Sequence, residues 1–232
     1  MSKRNEIIDG SYAANSRNGL IYTEVLGWID LGHAQGTDIR MLLNRINHGE
    51  ASTQDRYDVV YAQTMSDPWR ILRVGKSIKW RIRRGRPYRE RQSIALAMMM
   101  TIARRFEAFQ GAFPNNLLTD SGFSGEDLVS DLLGFYRIVT TTNPFPMLQP
   151  VSKEQALRRW DHYGPIGSFK NETFLPLLFP DPQRFRHASP YRGQLPEFMQ
   201  TIRPYSDFKS GNVAIATRDG SFIQSGKSDL IL

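Results

Sequence analysis

The 232 residues include no cysteine, which excludes disulfides, thiolate nucleophiles and zinc–thiolate sites. Nor is there a run approaching the roughly 20 uninterrupted apolar residues that cross a bilayer. The longest candidate, Ile94 to Ala103, has the length of a buried helix. Behind the basic start MSKRNEIIDGSYAANS there is no apolar stretch of the kind a cleaved secretory signal needs. A soluble chain, made in the cytoplasm and without a transmembrane segment, is therefore expected. Internal repeats and low-complexity tracts are missing too. So are HExxH, the GxxxxGK[ST] phosphate loop, the GxSxG nucleophile elbow and a GxGxxG after a strand. These absences disfavour nucleotide-dependent chemistry. They leave acid–base hydrolysis by carboxylates and histidine, or a divalent metal held by Asp, His and Glu.

Negative charge is the scarcer sign: 30 Lys and Arg face 23 Asp and Glu, giving a net charge of +7. Such a chain favours an anionic partner, whether nucleic acid, membrane surface or cell-wall polymer. The excess is concentrated, with ten Lys or Arg between Arg70 and Arg91 against the single acid Glu90. Within it, Ile78, Trp80 and Ile82 alternate with Lys79, Arg81 and Arg83, as in a strand with one packed and one basic face. Arg81, Arg83 and Arg84 are thus candidate substrate-binding residues, with Trp69, Trp80 and Tyr88 as surfaces on which bases would stack.

Composition allows one sizeable core, and the chain reads as a single α+β domain, helix-rich, with a long central helix and short β-hairpins. An N-terminal arm over about residues 1–18 precedes a core over 19–150. Residues 151–232 then supply Pro- and aromatic-rich loops and a terminal hairpin. Thr37 to His48 reads as a helix closed by Gly49, and Tyr57 to Gln63 as a strand. A hairpin is expected around Gly75-Lys76, and another around Asp219-Gly220 in the tail. The long helix runs from about Arg89 to Gln110. Capping-box spacings at Ser124 to Asp127 and Ser152 to Gln155 announce two more helices.

The densest group of chemistry-bearing residues begins in GLIYTEVLGWIDLGHAQGTD. Here Asp30 and His33 stand three apart, and they share a face if Trp28 to His33 turns helically. Glu107, near the end of the long helix, becomes a general base or a metal ligand if buried beside His33. Arg105 lies near it as a binding residue. Asp127 and Asp131, one helical turn apart, can face a common pocket, where Asp131 is a further candidate substrate-binding residue. Asp30, His33, Glu107 and Asp127 are therefore the candidate catalytic residues, with Asp30, His33 and Glu107 as candidate ligands of a divalent metal. Each also has a plain structural use: Asp30 and His33 as a turn pair, Glu107 in an ion pair, Asp127 in the cap.

Taken in order, GLIYTEVLGWIDLGH at 19–33, the helix carrying Glu107 and SGFSGEDLVSDLLG at 121–134 resemble an uncharacterised bacterial family, some of whose members carry envelope or lipoprotein signals. In that family a His-Glu pair occupies the helix. Here Phe106 precedes Glu107, so the carboxylate comes without the imidazole. The resemblance implies an envelope context. With the basic charge and the lack of a signal, it leads to the expectation of an antibacterial toxin delivered to the periplasm of a target cell by type VI secretion. Such a toxin would hydrolyse peptidoglycan, and a secretion component and a cognate immunity protein would be its partners. A nucleic-acid binder or nuclease using residues 70–91 is the competing expectation, and a non-enzymatic interaction domain a third.

Overall fold

The computed structural model describes residues 2–66, 72–110 and 124–225. Trp69 and Arg70, at the start of the basic run, lie outside the described residues. The fold is α+β. Contacts gather it into two compact units, Met1–Thr37 with Thr119–Thr201, and Asp38–Leu118 with Ile202–Leu232. Among the described residues, no helix is long and apolar enough to cross a membrane.

The first unit is built on a small sheet, ordered β1 (Leu20–Thr23), β2 (Gly27–Asp30), β5 (Leu177–Leu178) and β6 (Tyr191–Arg192). LIYT and GWID pair antiparallel and are buried nearly throughout, because both faces of this hairpin are covered. Tyr22, Trp28, Trp160 and Phe179 form the centre of the core, with Tyr22–Trp28 and Trp28–Trp160 edge-to-face at 5.3 and 5.7 Å. The expected N-terminal arm belongs to this core: Ile7 is fully buried and bridges Leu20. Helix α3 (Asp127–Val139) packs against β2, and, after the single turn α4 (Phe145–Leu148), α5 (Lys153–Tyr163) packs against β1. The Ser152–Gln155 capping box is complete. The Ser124 box is half formed, since the Ser124 N–H donates to Asp127 Oδ2 at 3.0 Å while its hydroxyl donates to Glu126 instead.

The second unit sets helix α2 (Tyr88–Gln110) across a three-stranded sheet ordered β3 (Arg56–Ser66), β4 (Leu72–Arg83) and β7 (Val213–Ser225). Tyr57, Val59 and Tyr61 stand opposite Ile82, Trp80 and Ile78, and all six are buried on the inner face. Helix α1 (Thr37–Ala51) buries Ile39, Leu42, Leu43 and Ile46, the stripe expected from its spacing. Helix α2 is buried on most of its circumference from Ile94 to Phe106, as a long central helix should be.

Two expected turns are corrected. Gly75-Lys76 lies inside β4, where Gly75 pairs with both Thr64 and Phe222, so the hairpin is longer than its sequence suggested. Asp219-Gly220 lies inside the single strand β7. Gly220 eases the close approach of β4 there: a Cβ would sit 2.3 Å from the Ser77 hydroxyl, which would have to turn away.

Candidate active site

Trp28 to His33 does not turn helically. Asp30 ends β2, and the chain bends at Gly32 into a short 3-10 turn over His33–Gln35. Asp30 Oδ1 accepts from the Gly32 N–H at 2.6 Å and, more weakly, from the His33 N–H at 3.4 Å, which is an Asx-type bend. The Asp30 N–H in turn donates to the buried Ser130 Oγ at 3.0 Å, fixing the strand end to α3.

The turn itself rests on α3. Gly36 has φ +66°, and a Cβ there would stand 2.2 Å from the carbonyl oxygen of Gly134. Two glycines therefore let the backbones meet at this crossing. Arg137, one turn further along α3, donates to the Ala34 carbonyl at 2.5 Å. Position 131 is three residues before Gly134 on the same helix, so this docking brings the His33 ring to Asp131.

His33 Nδ1 lies 3.0 Å from Asp131 Oδ1. The His33 side chain keeps 39% of its surface open, against 10% for Asp131, so the imidazole is exposed while its partner is enclosed. The surrounding protein disfavours charge on the ring. The Asp131 hydrogen bond and the charges of Asp131, Asp127 and Asp30 outweigh that penalty and hold the His33 pKa well above its usual value. The result is an oriented imidazolium whose Nδ1 is committed to a carboxylate, leaving Nε2 as the other proton-bearing atom.

A buried acidic cluster supports this pair. Asp127 is held by the Ser124 N–H, and Glu126 accepts from the hydroxyls of Ser124 and, at 2.6 Å, Ser2. Among the described residues, no group of three or more His, Asp or Glu side chains is placed to hold a metal ion. Asp30, His33, Asp127 and Asp131 belong to the first unit, whereas Glu107 is buried on α2 of the second, near the half-buried Arg105 on the same helix.

The pairing role of Asp131 was only half visible in sequence, as a carboxylate one turn beyond Asp127. Sequence reasoning missed Ser130, which lies inside the SGFSGEDLVSDLLG block with no spacing of its own to single it out, and it missed Arg159. Arg159 is 2% exposed and donates to Phe179 O, Gln155 O and, at 2.6 Å, Glu24 Oε1. Its signal was an arginine set between Ala156 and Trp160 on the apolar face of α5. It floors a cavity of about 730 Å³ with Glu24, Gln155, Arg184 and Tyr191. That cavity opens at the β1–β2 turn, the end of the hairpin opposite Asp30 and His33.

The basic face of the second unit is partly neutralised. Register places Asp58 opposite Arg81, which grips it with Nε at 2.7 Å and Nη2 at 3.0 Å, while Lys79 Nζ approaches at 3.0 Å. Arg81, ahead of Lys79, holds the Asp58 carboxyl down to about 2 against the opposing effect of burial. Arg83 lies 3.7 Å from Asp55, and Arg84 donates to the Ser52 carbonyl at 2.8 Å.

Comparison with protein-family models, curated proteins and solved structures finds no match to this chain.

Proposed function

We propose that this chain is an antibacterial, envelope-targeting hydrolase acting on peptidoglycan, with His33 as its proton donor and Asp131 as the residue that orients it. The observation that carries the reading is the 3.0 Å Nδ1–Oδ1 pair on a histidine side chain that remains partly open to solvent. An imidazolium stabilised by carboxylates gives its Nε2 proton to a departing amine or alcohol as the scissile bond breaks. Water supplies the hydroxyl to the other fragment and loses a proton to a carboxylate. Asp30 suits that part, because its Oδ2 has no hydrogen-bond partner among the described residues and its charge reaches the His33 ring. Proton exchange with solvent then restores both groups.

The envelope substrate is supported by the resemblance of residues 19–33 and 121–134 and by the net positive charge, which favours an anionic polymer. Delivery by type VI secretion, with a cognate immunity protein, follows from the same resemblance. The test is release of soluble fragments from purified peptidoglycan. His33→Gln is expected to lower the rate by about 10²- to 10⁴-fold, and Asp131→Asn by about tenfold or more, with both variants folded. Wild-type activity in a folded His33→Gln protein would overturn the assignment.

A further inference from the structure

Among the described residues, the second unit holds several buried N–H groups without a hydrogen-bond partner, and two of them belong to side chains that share a cavity. Trp80 is 1% exposed, and its Nε1 has no hydrogen-bond partner; Arg105 Nη1 is likewise enclosed and unpartnered. Buried donors without acceptors are rare and costly, and more so when one belongs to a guanidinium. Both side chains line one cavity of about 380 Å³.

The remaining lining defines what would complete it. Among the described residues around this cavity there is no acid: Arg104 adds a second cation, and Met100, Tyr205 and Phe208 are apolar or aromatic. Phe208 packs edge-on against both Trp80 and Tyr205, at 5.2 and 5.4 Å, and the Tyr205 hydroxyl is committed to the Asp207 carbonyl. The cavity thus combines apolar and aromatic walls with the unmet donors of Trp80 and Arg105. Its volume is near the lower end of the roughly 300–1,000 Å³ typical of small-molecule sites.

From these features we infer that the cavity is a binding site for a small organic carboxylate with a flat apolar body, its oxygens received by Arg105 and the Trp80 N–H. Two unpartnered donors match the two oxygens of a carboxylate. A phosphate would bring more oxygens and more charge than they satisfy. The ligand is either a free aryl acid or the C-terminal carboxylate of a peptide ending in an aromatic residue. This inference is independent of the His33 reading.

The experiment is calorimetric titration of the full chain with 3-phenylpropionate, its primary amide, the tripeptide Ala-Ala-Phe and that tripeptide amidated. Saturable binding of an acid is expected, with the matching amide about tenfold weaker or worse. Tighter binding of 3-phenylpropionate identifies a free-acid site, and tighter binding of Ala-Ala-Phe identifies a C-terminus site. Arg105→Gln is expected to abolish the preference for acid over amide, and Trp80→Phe, which keeps an aromatic ring, to weaken binding about threefold or more. Equal affinity for acids and amides, or no saturation by about 10 mM, overturns the proposal. Should Trp80→Phe fail to fold, the wild-type acid–amide comparison and Arg105→Gln decide it.

Discussion

At the scale of single residues, His33 carries the chemistry and its neighbours decide its charge. Three carboxylates raise its pKa, so the folded protein binds the proton more tightly than the unfolded chain. The stabilisation from the charged ring is complete below its unfolded pKa of about 6.5 and is lost as pH rises through the higher folded value. We therefore expect urea denaturation of wild type and His33→Gln to differ by about 0.5–1 kcal/mol near pH 6, converging as pH climbs past the folded value; the figure is kept small because the side chain is partly open to solvent. A gap that widened at alkaline pH would mean that the ring is neutral in the folded state. Asp58 runs the opposite way. Held near 2, it contributes stability above the ordinary carboxylate range that is lost only as pH falls through that value.

Elements position these residues, and here the glycines of one crossing matter most. The seating of the 3-10 turn on α3 depends on Gly36 at positive φ, within reach of the Gly134 carbonyl. Gly36→Ala combines an unfavourable backbone conformation with a backbone clash. It is expected to cost about 2–4 kcal/mol in chemical denaturation and to lower activity by moving His33 away from Asp131. A loss below about 0.5 kcal/mol would show that the crossing yields easily. Periodicity made α1 and α2 legible, because each buries a continuous stripe or most of its surface, and the capping box at Ser152–Gln155 marked α5. The hairpins were misread where glycine suggested turns. Gly75 and Gly220 sit within paired strands, and at Gly220 what matters is the close approach of β4.

For the molecule as a whole, net charge is a poor guide to an exposed basic surface. The run from Lys76 to Arg91 is strongly cationic in sequence. In the fold, Asp58, Asp55 and Asp219 reach it from neighbouring strands and loops, and Glu90 on α2 pairs with Arg86 just before that helix. A nucleic-acid interface using this face would need to break those pairs or work around them. We expect DNA binding, measured against salt, to show a slope no steeper than about −2, changing little in an Arg81→Ala, Arg83→Ala, Arg84→Ala variant. A slope of about −5 or more that collapsed in the variant would favour nucleic acid over the envelope polymer.

Sequence by itself determined the quantities that are local or summed over the chain: the α+β composition, the amphipathic helices, the lack of thiol chemistry and the net charge. It also marked Asp30 with His33 and Asp127 with Asp131 as two close-spaced pairs, since short spacings carry that much. Tertiary structure alone decided that His33 meets Asp131 across 98 residues, that Glu107 is buried in the other unit and that Asp58 cancels part of the basic strand. The physical reason is that helix and strand periods fix which way a side chain points within its own element. Which element it then faces depends on packing and register between distant segments, and one carboxylate across a strand changes the charge a partner would meet.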